Sequence, residues 1–325
     1  MSELIEVVPP KRKLRVKPTS KSDRIFYGIS TAGANSTIVI VLAIMFFLTI
    51  NAWPTFEKFG VVNFVFGTGW DNSLENPNFS IGPMLYGSFL IAAIGVVLAV
   101  PMAISIAYFI EFMAAKPIAK ATALLVDLLA AIPSVVIGLW GLTLFSSVGA
   151  GWGEMLHNSL GFIPLFENDA GNFLRTPFIA GFIVAVMIVP IIASVTREIF
   201  SQIDKDLINA SLALGGNRES TFRKIILPTS SGGITGGVLL ALGRALGETV
   251  AIFFVLNLVF EEVNWFRIVL PEGGAVASLI LAKFSDATAE EISALLAAGV
   301  VLFVFTLIIN VVAAYIVNKA QPWRK

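Results

Sequence analysis

Apolar residues in this chain gather into long runs rather than into the short alternations or stripes of a water-soluble fold. A membrane-crossing helix needs about 20 mostly apolar residues. Six runs approach or exceed that length: 36–53, 85–109, 121–145, 177–196, 233–259 and 292–317. A further patch, 275–284, is too short to span and reads as a re-entrant or interfacial piece. Pro133 lies inside the third run, where its missing N–H predicts a kink. The adjacent Ser134 is a candidate either to satisfy the freed carbonyl or to line a pathway. The pattern predicts an all-α integral membrane protein with six transmembrane helices.

Composition agrees with the pattern and narrows the chemistry. Hydrophobic residues make up 56% of the 325 and charged residues 14%, with a mean hydropathy of +0.85. A soluble domain carries about 25% charged residues. The absence of cysteine excludes disulfides, thiolate metal sites and cysteine nucleophiles. The single histidine, His157, lies in a polar segment, reads as a surface residue and makes no zinc site alone. With no histidine or cysteine in the spans, an intramembrane enzyme is disfavoured. The net charge of zero gives no general attraction to nucleic acid.

The distribution of charge sets an expected orientation. Residues 1–35 form a basic arm carrying Lys11, Arg12, Lys13, Arg15, Lys17, Lys21 and Arg24, with no early apolar core of a cleaved signal peptide. Lys116, Lys120, Arg197, Lys205, Arg218, Arg223, Lys224, Lys319, Arg324 and Lys325 fall on the same side of the predicted spans. The opposite loops hold only Lys58, Arg175, Arg267 and Lys283. The positive-inside rule then makes both termini cytoplasmic, with a permease domain over 36–319 and a tail over 320–325. Trp53, Trp70, Trp152 and Trp265 stand near the outer exits, as an aromatic belt does.

The loop 201–230 between the fourth and fifth spans carries the sequence "DKDLINASLALGGNRESTFRKIILPTS" from position 204. Its apolar spacing, broken at Gly215 and Gly216, predicts two short helices with a glycine turn, the second ending at Pro228. The segment resembles the "EAA" loop of ABC importer permeases, written E-A-A-x3-G-x9-I-x-L-P. Ala210, Gly215, Ile225, Leu227 and Pro228 match it, while Asn209 and Ser211 replace the usual glutamate and second alanine. By that resemblance the loop couples to an ATPase subunit. The chain itself has no G-x4-G-K-[S/T] phosphate loop, so no cofactor is expected in it, and ATP and Mg belong to the partner.

Three further blocks, "GPMLYGSFLIAAIGVVLAVPMAISIAYFIEF", "LLAAIPSVVIGLWGL" and "LALGRALGETVAIFFVLN", are similar to the PstC-type permeases of phosphate importers. The resemblance implies the type I (MetI-like) importer fold in a bacterial inner membrane. It also implies a sister PstA-type permease, a PstB-type ATPase dimer and an external PstS-type phosphate-binding protein. Two other readings are an importer permease for another oxyanion, such as sulfate or molybdate, and a secondary anion transporter that needs no ATPase.

Within "ALGRALGETVAIFF", from position 241, Arg244 and Glu248 stand four residues apart, and Arg244 is the one basic residue inside a predicted span. An intramembrane arginine costs at least about 2.5 kcal/mol on the gentlest insertion scale. On a continuous helix the two share a face and can pair. They then either neutralise each other or line an anion path. A guanidinium fork fits phosphate oxygens, and a carboxylate accepts the proton that phosphate keeps and sulfate lacks. Thr249 is a further candidate donor. Gly236, Gly243 and Gly247 belong to small-residue pairs suited to close helix packing, within the chain or against a second permease.

Overall fold

Helix α1, Lys21–Phe59, starts inside the stretch expected to be a polar arm. The backbone N–H of Ser22 donates to Ser20 Oγ and that of Ser20 to Asp23 Oδ2, a reciprocal cap that starts the helix early. The computed structural model describes residues 20–73 and 75–319. Lys11, Arg12, Lys13, Arg15, Lys17 and the 320–325 tail lie outside the described residues. The chain forms two units, Met1–Phe47 and Leu48–Lys325. Among the described residues, the first contains only the N-terminal part of α1.

In the second unit, α2 (Val61–Phe66) is followed by a two-stranded antiparallel ribbon, β1 (Trp70–Asp71) and β2 (Asn78–Phe79), in which Trp70 faces Phe79. Helix α3 (Gly82–Tyr108) continues through a π turn, Phe109–Met113. Next come α4 (Lys116–Ala130), α5 (Ser134–Trp140), a π turn at Gly141–Phe145, α6 (Ser146–Leu160) and α7 (Pro177–Ser201). Helices α8 (Lys205–Ala213) and α9 (Arg218–Thr221) lead through the π turn Phe222–Ile226 into α10 (Leu227–Leu246). The chain closes with α11 (Val250–Val255), α12 (Val276–Lys283) and α13 (Ala289–Lys319). Among the described residues six helical stretches are long and apolar enough to cross a membrane: Lys21–Phe59, Gly82–Met113, Ser134–Leu160, Pro177–Ser201, Arg218–Leu246 and Ala289–Val317.

Small residues set the central packing. On α3, Gly95 lies so close to α7 that an added Cβ would sit 2.9 Å from Val184 Cγ1; Gly181 of α7 is tighter still, 2.5 Å from Ile94 Cγ2. Buried Ala99 and Ala103 face the same core as Ala180, Ile183 and Ile188. In a bilayer, where lipid is as apolar as leucine, this close approach supplies the dispersion contact that holds helices together.

Four expectations change. The third span is not 121–145: the run divides into amphipathic α4, with no buried residue, and the spanning stretch Ser134–Leu160. Pro133 makes the division because it cannot continue a helix and pushes the preceding residue out of helical geometry. It precedes α5 in extended geometry (φ −59°, ψ 138°), so it separates two helices instead of kinking one. The fifth span is not one helix over 233–259, since α10 stops at Leu246. Pro228 does not end a helix; it lies in the first turn of α10, where its missing N–H is harmless. Leu227 N–H bonds Phe222 O, five residues back, carrying the chain from α9 into α10. The 275–284 patch, expected to be re-entrant or interfacial, forms the short helix α12, whose buried Val276–Leu279 turn disfavours only the interfacial alternative.

Candidate functional site

The break after α10 places the two charges of the fifth span. Arg244 is in the last turn of α10, Gly247 follows the helix, and Glu248 and Thr249 precede α11. Backbone groups freed by the break find local partners: Gly247 N–H donates to Gly243 O at 3.2 Å, and Thr249 Oγ1 donates to Gly247 O at 3.1 Å. Glu248 is 7% exposed, and its Oε1 accepts from Ala251 N–H at 3.3 Å in the first turn of α11. A carboxylate at a helix start and a guanidinium at a helix end each face the favourable end of a helix dipole.

This geometry overturns the expected pair on one helix face. No ion pair joins Arg244 and Glu248, because the i,i+4 rule assumes a helix that stops between them. Arg244 is exposed on this chain and lines an open groove of about 900 Å³ with Ile191, Leu239, Leu240, Gly243 and Asn310. Its charge has no carboxylate partner among the described residues. Arg197 on α7, by contrast, reaches Asp127 at 3.5 Å, and Ser194 also donates to that carboxylate at 3.0 Å.

Asn310 is the site residue that pattern reading passed over. It is the one amide side chain in the spanning stretch Ala289–Val317 of α13, and its Oδ1 is buried with no hydrogen-bond partner among the described residues. It lines both the Arg244 groove and a neighbouring cleft with Gly247, Gly299 and Thr306. A polar side chain inside an apolar span was itself the available signal.

The other candidates disperse. Ser134 opens α5, is half-buried and does not line the Arg244 groove. Gly243 faces Asn310: an added Cβ would sit 3.8 Å from its Nδ2. Gly247 meets only its own helix, and Gly236 meets nothing within 4 Å. Packing of α10 on α7 instead uses Gly233 against Ile199 and Gly237 against Val195.

The 201–230 segment forms a helical hairpin at the C-terminal end of α7. Asp204 caps α8 by accepting from Asp206 N–H at 2.9 Å, and Asn217 caps α9 by accepting from Ser220 N–H at 2.7 Å. Gly215 takes a left-handed φ of +84°, which closes the turn. Ser211, one of the departures from the EAA pattern, hydrogen-bonds Thr221 at 2.9 Å and so ties α8 to α9. Ile226 and Leu227 pack inward with Phe200 and Ile208, and Ile225 is half-buried. Asn209 and Ala210 are exposed, as are Leu207, Leu212 and above all Leu214, at 89%.

Residues 99–321 match the family model for the binding-protein-dependent transport system inner membrane component. The chain belongs to the binding-protein-dependent transport system inner membrane component family. Accordingly it is a multi-pass inner-membrane transport component. Curated relatives include the phosphate transport system permease protein PstC 2 of Mycobacterium tuberculosis, 32% identical over 303 residues and covering 92% of each chain. Another is PstC of Haemophilus influenzae, 33% identical over 286 residues, 87% of this chain and 89% of that one. Among solved structures, a bacterial alginate ABC transporter in complex with an alginate-bound periplasmic protein aligns over 93% of this chain and 96% of its own. Its TM-score is 0.61 at 17% identity, a likeness of fold alone. The fold is that of an ABC importer permease.

Proposed function

We propose that this family member is the PstC-type permease of a phosphate importer and that Arg244 meets the anion as it crosses. The observation that carries the reading is Arg244 itself: a guanidinium within a membrane span, without a carboxylate partner among the described residues, lining a groove beside Asn310. Its fork offers paired hydrogen bonds to phosphate oxygens. Glu248 uses one oxygen on Ala251 N–H, leaving the second for the proton that phosphate carries and sulfate lacks. Thr249, already bonded to Gly247 O, serves the break rather than the ion. Relatives named as phosphate permeases support the substrate.

The exposed leucines of the α8–α9 hairpin supply the surface for a separate ATPase, which binds ATP and Mg and passes its motion through the short, bonded hairpin. The remaining partners are a PstA-type sister permease, two PstB-type ATPase chains and a PstS-type binding protein. The test is uptake by the reconstituted complex. Phosphate should accumulate only with ATP, should stimulate hydrolysis, and should resist competition by sulfate and molybdate. Preferred uptake of another oxyanion overturns the substrate, and uptake without ATPase overturns the coupling.

A further inference from the structure

Two arginines stand in the connections at the end of α7 opposite the α8–α9 hairpin, and they are treated very differently. Arg267 is neutralised by two carboxylates, Glu167 at 3.3 Å and Asp169 at 3.0 Å. Arg175 has no carboxylate partner among the described residues; its Nη1 donates to Asn257 Oδ1 at 3.0 Å. Its backbone is left-handed, with φ +57°, a region that side-chain-bearing residues seldom occupy and that marks a position held by its surroundings. The next residue, Thr176, caps α7 by accepting from Ile179 N–H, so the strained residue is anchored directly to a spanning helix.

Arg175 and Asn257 open onto a cavity of about 350 Å³, otherwise lined largely by apolar side chains such as Leu142, Phe253, Phe254 and Leu256. With Asn257 Oδ1 occupied, its amide N–H groups and the other guanidinium donors remain for the acceptor oxygens of a ligand. An apolar wall around convergent donors favours a compact anion and weakens competition by water. The position lies close along the chain to the break that follows Arg244. Glu248 lies before α11 and Asn257 two residues after it, and α11 is about 9 Å long.

We propose that Arg175 and Asn257 form a second anion station, one α11 length beyond the break, that takes the oxyanion at the other end of the span from the coupling hairpin. This deepens the phosphate reading and rests on it. The natural chain has no cysteine, so Arg175→Cys places a single thiol at the station. In proteoliposomes holding the full complex and binding protein, Arg175→Cys should raise the half-saturating phosphate concentration about tenfold, as loss of one charged hydrogen bond does. An aminoethyl thiosulfonate, which returns a charged group with N–H donors, should restore it to within about threefold of wild type, and the sulfonatoethyl reagent should not. Arg175→Lys keeps the charge and should stay within about threefold of wild type. The proposal is overturned if Arg175→Cys stays within about twofold of wild type, if both reagents act alike, or if the lysine variant is as impaired as the cysteine one. Wild-type complex that concentrates a different oxyanion overturns the phosphate reading alone, and the same variants then test the station with that ion.

Discussion

Two apolar runs of this chain are interrupted, and the interruptions differ in kind. Before the third span, Ile132–Pro133 separates α4 from α5 on an exposed surface, and the proline alone accounts for the break. At the break after α10 no proline is present. The break there is held by Gly247, by the Thr249 hydroxyl on Gly247 O, and by Glu248, buried on Ala251 N–H. The first break is a joint between an amphipathic helix and a spanning one. The second keeps a buried carboxylate and leaves one arginine uncompensated, and that arginine distinguishes a site from a joint.

The sharpest way to break this contrast is to remove that charge. Arg244→Gln should lower phosphate uptake by about a hundredfold or more, the scale of a lost charged, bidentate contact, while the complex still assembles. An uptake change within a few-fold would put the fifth-span break in the same class as the proline joint. The next effect is on the packing that holds α11. A Cβ at Gly138 of α5 would sit 2.7 Å from Ala251 Cα, so Gly138→Ala should destabilise by about 1–3 kcal/mol in denaturant or thermal melts. Gly236→Ala is the control, since nothing lies within 4 Å there in this chain. Glu248→Ala should cost about 1–2 kcal/mol through loss of the α11 cap, with Glu248→Gln retaining most of the stability. The smallest change belongs to the joint: Pro133→Ala, on an exposed turn, should shift stability by less than about 1 kcal/mol.

That six stretches cross was legible because bilayer thickness imposes run length directly on sequence, although the bounds of the third and fifth were not. The breaks were less so, because the apolar runs resume on both sides of residues 131–133 and 247–249. Even so, an arginine in the last turn followed by glycine is a helix stop, and in "GRALGET" it was written beside the pair it separates. The i,i+4 expectation failed only because it assumed continuity. The hairpin was readable from its glycines, yet the role of Ser211 depends on Thr221 arriving beside it across a turn. Arg175 and Asn257 are 82 residues apart, and Asn310 meets the Arg244 groove only through packing of α13 on α10. No local pattern encodes either meeting.

The central claim is that Arg244 serves the transported anion and not Glu248. Phosphate uptake by Arg244→Gln, Glu248→Gln and the double variant in one reconstituted complex tests it most directly. If Arg244 is free for the anion, removing Glu248's charge leaves Arg244→Gln inactive, and the double variant remains about a hundredfold or more below wild type. Recovery of the double variant to the level of Glu248→Gln alone would show a neutralising pair and contradict the account.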